Sequence, residues 1–287
     1  MSSRRNIEAN PLTELFAVYL AKIEDALKRE VDLYSWSEFH APLRYACEGG
    51  KRIRPLILVL SAECIRSERA EPAAYLAASA IELLHTESII HDDIIDEENQ
   101  RRGKPSFHVK YGYNSSILTA DFVLGVILNI SSKLKDPRII NELSNAATKM
   151  TEGEMMEIKL GKEMDITEDD YIKVLEFKTA SLFEASAKIG AITGGGDEEQ
   201  IHTMTSFGHL LGIAYQVHDD LIDWNNENRL FNMLVRKNGK TKEFVDRMDK
   251  VYQSYASKAK NELRKISTES EAKGHLEHLT NLTSVQF

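Results

Sequence analysis

The sequence predicts an all-α protein folded as one domain over residues 1–287. Three observations carry this. Apolar residues recur at spacings of three and four along nearly the whole chain, the period of a helix with one buried face. Only six prolines and 15 glycines interrupt that pattern. No strand-rich block, low-complexity linker or shift in composition marks a boundary, and at 42% hydrophobic residues the chain can bury a large core.

The elements follow in order. Pro11 opens a first helix whose Leu12, Leu15, Phe16, Tyr19, Leu20, Ile23 and Leu27 share one stripe. Ser35 or Ser37 is placed to cap a second helix running towards Cys47. Gly49-Gly50 breaks the chain, and Lys51-Arg52-Ile53-Arg54-Pro55 enters a third helix near its first turn, where proline is tolerated. A longer helix follows Pro72, and Arg101-Arg102-Gly103-Lys104-Pro105 ends it in a basic loop. Helical periods then fill residues 114–133, 138–160 and 168–193. Gly194-Gly195-Gly196 stops the last of these, and Asp197 can cap the helix leading to Asp219. Asn225-Asn226-Glu227-Asn228 reads as a turn, followed by polar helices near 229–266, broken at Gly239, and near 270–283.

Composition excludes several functions. A formal charge of −9 argues against a general nucleic-acid or anionic-membrane surface, so an anionic ligand must be held by a local basic cluster or by metal. Cys47 and Cys64 form neither a CxxC motif nor a zinc pattern and read as buried thiols. The polar start after Met1 does not resemble a secretory signal, and no stretch of 18 or more apolar residues appears. The expected compartment is the cytoplasm, with no transmembrane segment.

One motif organises the chemistry. His91-Asp92-Asp93-Ile94-Ile95-Asp96 recurs as His218-Asp219-Asp220-Leu221-Ile222-Asp223. The first and last aspartates of each copy stand one helical turn apart, with Cβ atoms about 5–6 Å from each other. A single copy reads as a solvated acidic face. The interleaved Ile89, Ile90, Ile94, Ile95, Leu221 and Ile222 instead turn both stretches partly inward. Carboxylates gathered this way need a cation, and Mg²⁺ shared with a substrate phosphate supplies one.

Three basic groups offer anion contacts. Lys51, Arg52 and Arg54 stand beside Gly49-Gly50, where backbone can approach a ligand and a helix N-terminus adds positive charge; a solvated basic turn is the alternative. Arg101-Arg102 follows the first motif, as phosphate forks or as balance for Asp96, Glu97 and Glu98. Lys178-Thr179 alone reads as surface. His85 lies two turns before Asp92 on nearly the same face, and Gln216 lies one turn before Asp219 and Asp220; both are placed to touch a ligand. His91 and His218 are expected to point elsewhere.

Gly49 through Pro55, Leu83-Leu84-His85-Thr86 through Asp96, Arg101 through Pro105, Lys178-Thr179, Gln216 and the second aspartate motif together resemble the trans-isoprenyl diphosphate synthase family, over roughly residues 12–225. The resemblance implies an all-α bundle around a deep central cavity, usually a homodimer. Asp92, Asp93, Asp96, Asp219, Asp220 and Asp223 would bind Mg²⁺, with Asp92, Asp96, Lys178 and Asp219 at the chemistry. Arg101, Lys178, Thr179 and Gln216 would hold an allylic diphosphate; Lys51, Arg54, His85 and Arg102 would hold isopentenyl diphosphate. The implied reaction is a head-to-tail condensation giving geranylgeranyl or farnesyl diphosphate.

The sequence departs from the family in two places. The usual Gly-Lys stretch and further lysine after the second motif are not recognisable among residues 224–287; Arg236, Lys237 and Lys240 are the nearby replacements, with Asn238-Gly239-Lys240-Thr241 an echo. This favours a second reading, a non-catalytic or regulatory homologue that binds diphosphates or a partner synthase. The family also sets product length just upstream of the first motif, where this chain has Glu87 and Ser88 instead of an aromatic. A terpene cyclase is disfavoured, because Lys51, Arg54 and Arg102 would then have no ligand.

Overall fold

The computed structural model describes residues 15–163, 165–222, 230–238 and 242–281. As expected, nearly all of it is helix. The elements are α1 (Ala17–Asp32), α2 (His40–Cys47), α3 (Ile53–Arg66), α4 (Pro72–Ile95), β1 (Gln100–Arg101), β2 (Lys104–Pro105), α5 (Phe107–Tyr111), α6 (Tyr113–Leu134) and α7 (Pro137–Leu160). They continue as α8 (Glu168–Leu175), a π-helical turn (Glu176–Ala180), α9 (Ser181–Thr193), α10 (Glu198–Ile222), α11 (Leu230–Asn238), α12 (Lys242–Arg264) and α13 (Glu271–Leu279).

The sequence explains who sits inside. Leu56-Ile57-Leu58-Val59-Leu60 of α3 is apolar on every side, and a helix of that kind must be enclosed. It packs against α4, α9 and α13, while α4 also carries α6 and α1. A second, smaller core joins Tyr171 and Val174 of α8, Ile213 and Val217 of α10, Phe231 of α11 and Phe244 of α12. The polar C-terminal helices form because Phe244, Met248, Tyr252, Ala256, Ala259 and Leu263 make one buried stripe on α12.

Several expectations change. Pro11 and Leu12, the turn at 225–228 and the break at Gly239 lie outside the described residues. Neither Ser35 nor Ser37 caps α2: the helix begins at His40, and Ser37 Oγ instead accepts from the Phe39 N–H at 3.2 Å within the preceding turn. Asp197 does cap α10, accepting from Gln200 N–H at 2.8 Å while Gln200 Oε1 accepts from Asp197 N–H at 3.0 Å. The basic loop is a two-stranded antiparallel ribbon, Gln100 opposite Pro105. The period at 168–193 is interrupted by the π turn. And α6 is long and apolar enough to cross a membrane by length and composition, although Ser, Thr, Asn and Asp121 interrupt its apolar run. Its inner side, Val123, Val126, Ile127 and Ile130, is buried in the main core.

Candidate active site

A cavity of about 2120 Å³ opens between α4, α7, α10 and the glycine turn at residues 49–52. Asp92 of α4, Asp96 just past its end and Asp219 of α10 all line it. Burial pushes the Asp92 carboxyl up; Lys178 opposes this, and the like charges of Asp96 and Glu157 add to it.

The other aspartates are arranged differently from the expectation that all bind metal. Asp93 is buried on the far side of α4, where Arg101 donates to its Oδ1 from Nε at 2.7 Å and lies 2.5 Å away through its second nitrogen. Asp92 and Asp93 are neighbours, about 100° apart around a helix, so one faces the cavity and the other the ribbon. Asp220 borders the cavity, but Tyr171 Oη donates to its Oδ2 at 2.7 Å and Gln216 Nε2 to its Oδ1 at 2.9 Å. Asp223 lies outside the described residues. Among the described residues no three Asp, Glu, His or Cys side chains converge closely enough to hold an ion by themselves. Asp92, Asp96 and Asp219 nevertheless fit Mg²⁺ in donor chemistry: hard oxygens around a roomy cavity suit an ion that keeps waters and shares its shell with phosphate.

A cationic wall adjoins them, with Asp219 and Asp92 acting electrostatically on its Arg54. Gly49, Gly50 and Arg52 all have positive φ (78°, 106° and 53°), which reverses the chain sharply before α3. A Cβ on Gly50 would stand 2.8 Å from the Arg102 guanidinium, which donates to Gly49 O at 2.8 Å, so only glycine lets Arg102 lie over the turn. Lys51, Arg54, His85 and Arg102 share this wall of the cavity. Arg54 donates to His85 Nε2 at 3.1 Å, stacks its guanidinium 4.9 Å from the Phe183 ring centre, and keeps a buried Nε with no hydrogen-bond partner. Burial, then Arg54 and Arg102, hold His85 well below the usual histidine range, so it is a neutral acceptor here. Arg52 also borders the cavity, but its charge is taken up within the protein. It is buried and paired with Glu82 and Glu24.

Lys178 and Thr179 sit in the π turn, which projects them into the cavity instead of leaving them on the surface. The turn is fitted between two helices. A Cβ on Gly153 of α7 would come within 2.7 Å of Lys178 Cα, and one on Gly212 of α10 within 2.7 Å of Ala180 Cα. Thr179 Oγ1 lies 3.4 Å from Gln216 Oε1, extending the chain Gln216–Asp220–Tyr171. Lys178 Nζ donates to Glu157 Oε2 at 2.6 Å and also pairs with Glu154. Burial alone would lower the Lys178 pKa, but Asp92, Glu157 and Glu154 outweigh it and hold the ammonium charged.

Sequence reasoning missed Glu154, Glu157, Tyr171 and Tyr215, all of which line the cavity. Burial pushes the Tyr215 hydroxyl up to about 12, Asp219 adding to the effect. Gly153, mid-helix beside Glu154, was the available signal of a close approach. Glu87 and Ser88 do line the cavity; Glu87 Oε1 lies 3.3 Å from His91 Nδ1, and Ser88 Oγ donates to His85 O at 2.9 Å. His91 also borders the cavity instead of pointing elsewhere, while His218 packs on the Tyr252 ring. Lys237 does not replace the expected lysine: it pairs with Asp165 and donates to Ile166 O at 3.0 Å, away from the cavity. Lys240 lies outside the described residues.

The family model described as Polyprenyl synthetase matches residues 37–240. The chain belongs to that family. Among polyprenyl synthetases it is 36% identical over 192 residues to a geranylgeranyl diphosphate synthase of Methanosarcina mazei, covering 65% of this chain and 59% of that one. It is 37% identical over 177 residues to the octaprenyl diphosphate synthase of Escherichia coli, covering 62% and 54%. The match thus spans somewhat more than half the length of these curated relatives. The crystal structure of geranylgeranyl pyrophosphate synthetase from Pyrococcus horikoshii superposes with a TM-score of 0.84 at 26% identity, over 96% of this chain and 99% of that one. These polyprenyl synthetases carry different product names, so membership alone does not set the product.

Proposed function

We propose that the protein condenses isopentenyl diphosphate with an allylic diphosphate, head to tail and with Mg²⁺, to give geranylgeranyl or farnesyl diphosphate. One observation carries this reading: a single cavity is lined both by the carboxylates Asp92, Asp96 and Asp219 and by a cationic wall of Lys51, Arg54 and Arg102. Two anionic substrates can be bound there by different means. Asp92, Asp96 and Asp219 would hold the metal, which when bound neutralises the charge on a departing diphosphate. Lys178 and Thr179 would take the allylic diphosphate directly, with Gln216 beside them and Arg101 at the rim. Arg54, through its unpartnered Nε, with Lys51, Arg102 and neutral His85, would position isopentenyl diphosphate. Leu84, Leu124, Met150 and Met155 give the cavity an apolar side that houses the hydrocarbon and excludes water from the electron-poor carbon.

Glu87 and Ser88, without a bulky ring, are read as permitting a product of this length. The exposed face of α6, with Ile117, Leu118 and Leu128, is read as the homodimer contact, and the compartment as the cytoplasm. Incubation with Mg²⁺, isopentenyl diphosphate and dimethylallyl, geranyl or farnesyl diphosphate should yield elongated products that chromatography sizes. No elongation from any primer overturns the enzymatic reading. The diversion of Lys237 to Asp165 favours the regulatory alternative in that event, which a diphosphate-induced rise in melting temperature without turnover would support.

A further inference from the structure

Lys178 stands among three carboxylates. Its Nζ is 2.6 Å from Glu157 Oε2 and paired with Glu154, and Asp92 acts on it electrostatically. Glu154 and Glu157 lie three residues apart on α7, so one face of that helix presents both. Their side chains are 13% and 23% exposed, which leaves little water to screen them. One ammonium against three carboxyl groups is an unexpected setting for an anion-binding lysine. Arg54, on the cationic wall, differs: it spends one donor on neutral His85 and keeps another unpartnered.

The imbalance discriminates between two forms of the same ligand. A bare diphosphate reaching Lys178 must approach the glutamates as well, and like charges at contact distance in a poorly screened site repel strongly. A diphosphate carrying divalent cations meets the same carboxylates with opposite charge. We propose that Glu154 and Glu157 reserve Lys178 for a metal-bound diphosphate, holding the ammonium in place while excluding a diphosphate that arrives without its cations. This rests on the reading that a diphosphate binds beside Lys178, and it makes the two glutamates specificity and positioning residues.

The test is calorimetric titration of inorganic pyrophosphate into the whole chain, in EDTA and in Mg²⁺. The wall of Lys51, Arg54 and Arg102 contributes the same background to every variant. The double variant Glu154→Gln/Glu157→Gln should gain a metal-free binding event about tenfold or more tighter than wild type shows at this subsite. Adding Lys178→Met should remove the gain. No gain in EDTA, or a gain that survives Lys178→Met, overturns the proposal. Glutamine keeps the shape of each side chain; if the pair still unfolds, each single variant should show a smaller gain, and no gain in either overturns it equally. Elongation is scored separately on wild type. Its failure removes the condensation reading, while the pyrophosphate comparison still decides the role of the glutamates.

Discussion

At the scale of single residues, the clearest contrast is between Asp92 and Asp93. Only the first reaches the cavity, so their substitutions should fail differently. Asp92→Ala should lower the elongation rate by a factor on the order of 10³ with melting temperature retained, as loss of a charge-stabilising contact does. Asp93→Ala should leave the guanidinium of Arg101 without its buried partner and destabilise the ribbon, measured as a lower melting temperature. The sequence showed both aspartates but not which way each turns, since that depends on what packs behind α4. Glu154 and Glu157 were hidden for a similar reason: two glutamates three apart on an amphipathic helix look like a solvent face until Lys178 is placed against them. Glu87 gives a pH-dependent prediction. Burial pushes its carboxyl up, His91 opposes and Asp121 adds. A raised carboxyl contributes stability that is complete below the unfolded value, about 4.3, and lost as pH rises through the folded one. Glu87→Gln stays neutral throughout. It should melt above wild type at pH 8, by about 2–4 °C for each kcal/mol relieved, with the gap closing towards pH 5.

At the scale of elements, helices were legible from apolar period and from glycine stops, and the capping of α10 by Asp197 was legible from residue type. The π turn was not. Its extra residue has no compositional mark, and Glu176–Ala180 continues the helical period on both sides. What holds it is tertiary: the bare backbones of Gly153 and Gly212 pressed against it. Gly153→Ala should therefore cost about 1–3 kcal/mol in chemical denaturation, because the new methyl meets backbone that cannot step aside. Gly274→Ala in α13, with open space at the Cβ, is the matched control and should stabilise by about 0.5–1 kcal/mol.

At the scale of the whole molecule, α6 buries one side and exposes Ile117, Leu118 and Leu128 on the other. The helical period at 114–133 was legible in the sequence, whereas counting uninterrupted apolar residues concealed how apolar the helix is overall. If the outer side meets a second copy, Leu118→Asp should convert the sedimenting species from dimer to monomer. The same change should leave helical content by circular dichroism within a few per cent, because residue 118 is absent from the core.

Arg52, buried between Glu24 of α1 and Glu82 of α4 and donating also to Cys47 O, has a mechanical consequence. It clamps the glycine turn to the helix that carries Asp92, so the cationic wall and the first aspartate motif move as one stiff jaw. The compliance needed to admit and release a ligand then falls to the facing jaw, α8 and α11, which belong to the smaller core. Hydrogen exchange should find amides of α11 opening well before those of α3 and α4, and a bound diphosphate slowing α11 far more than either.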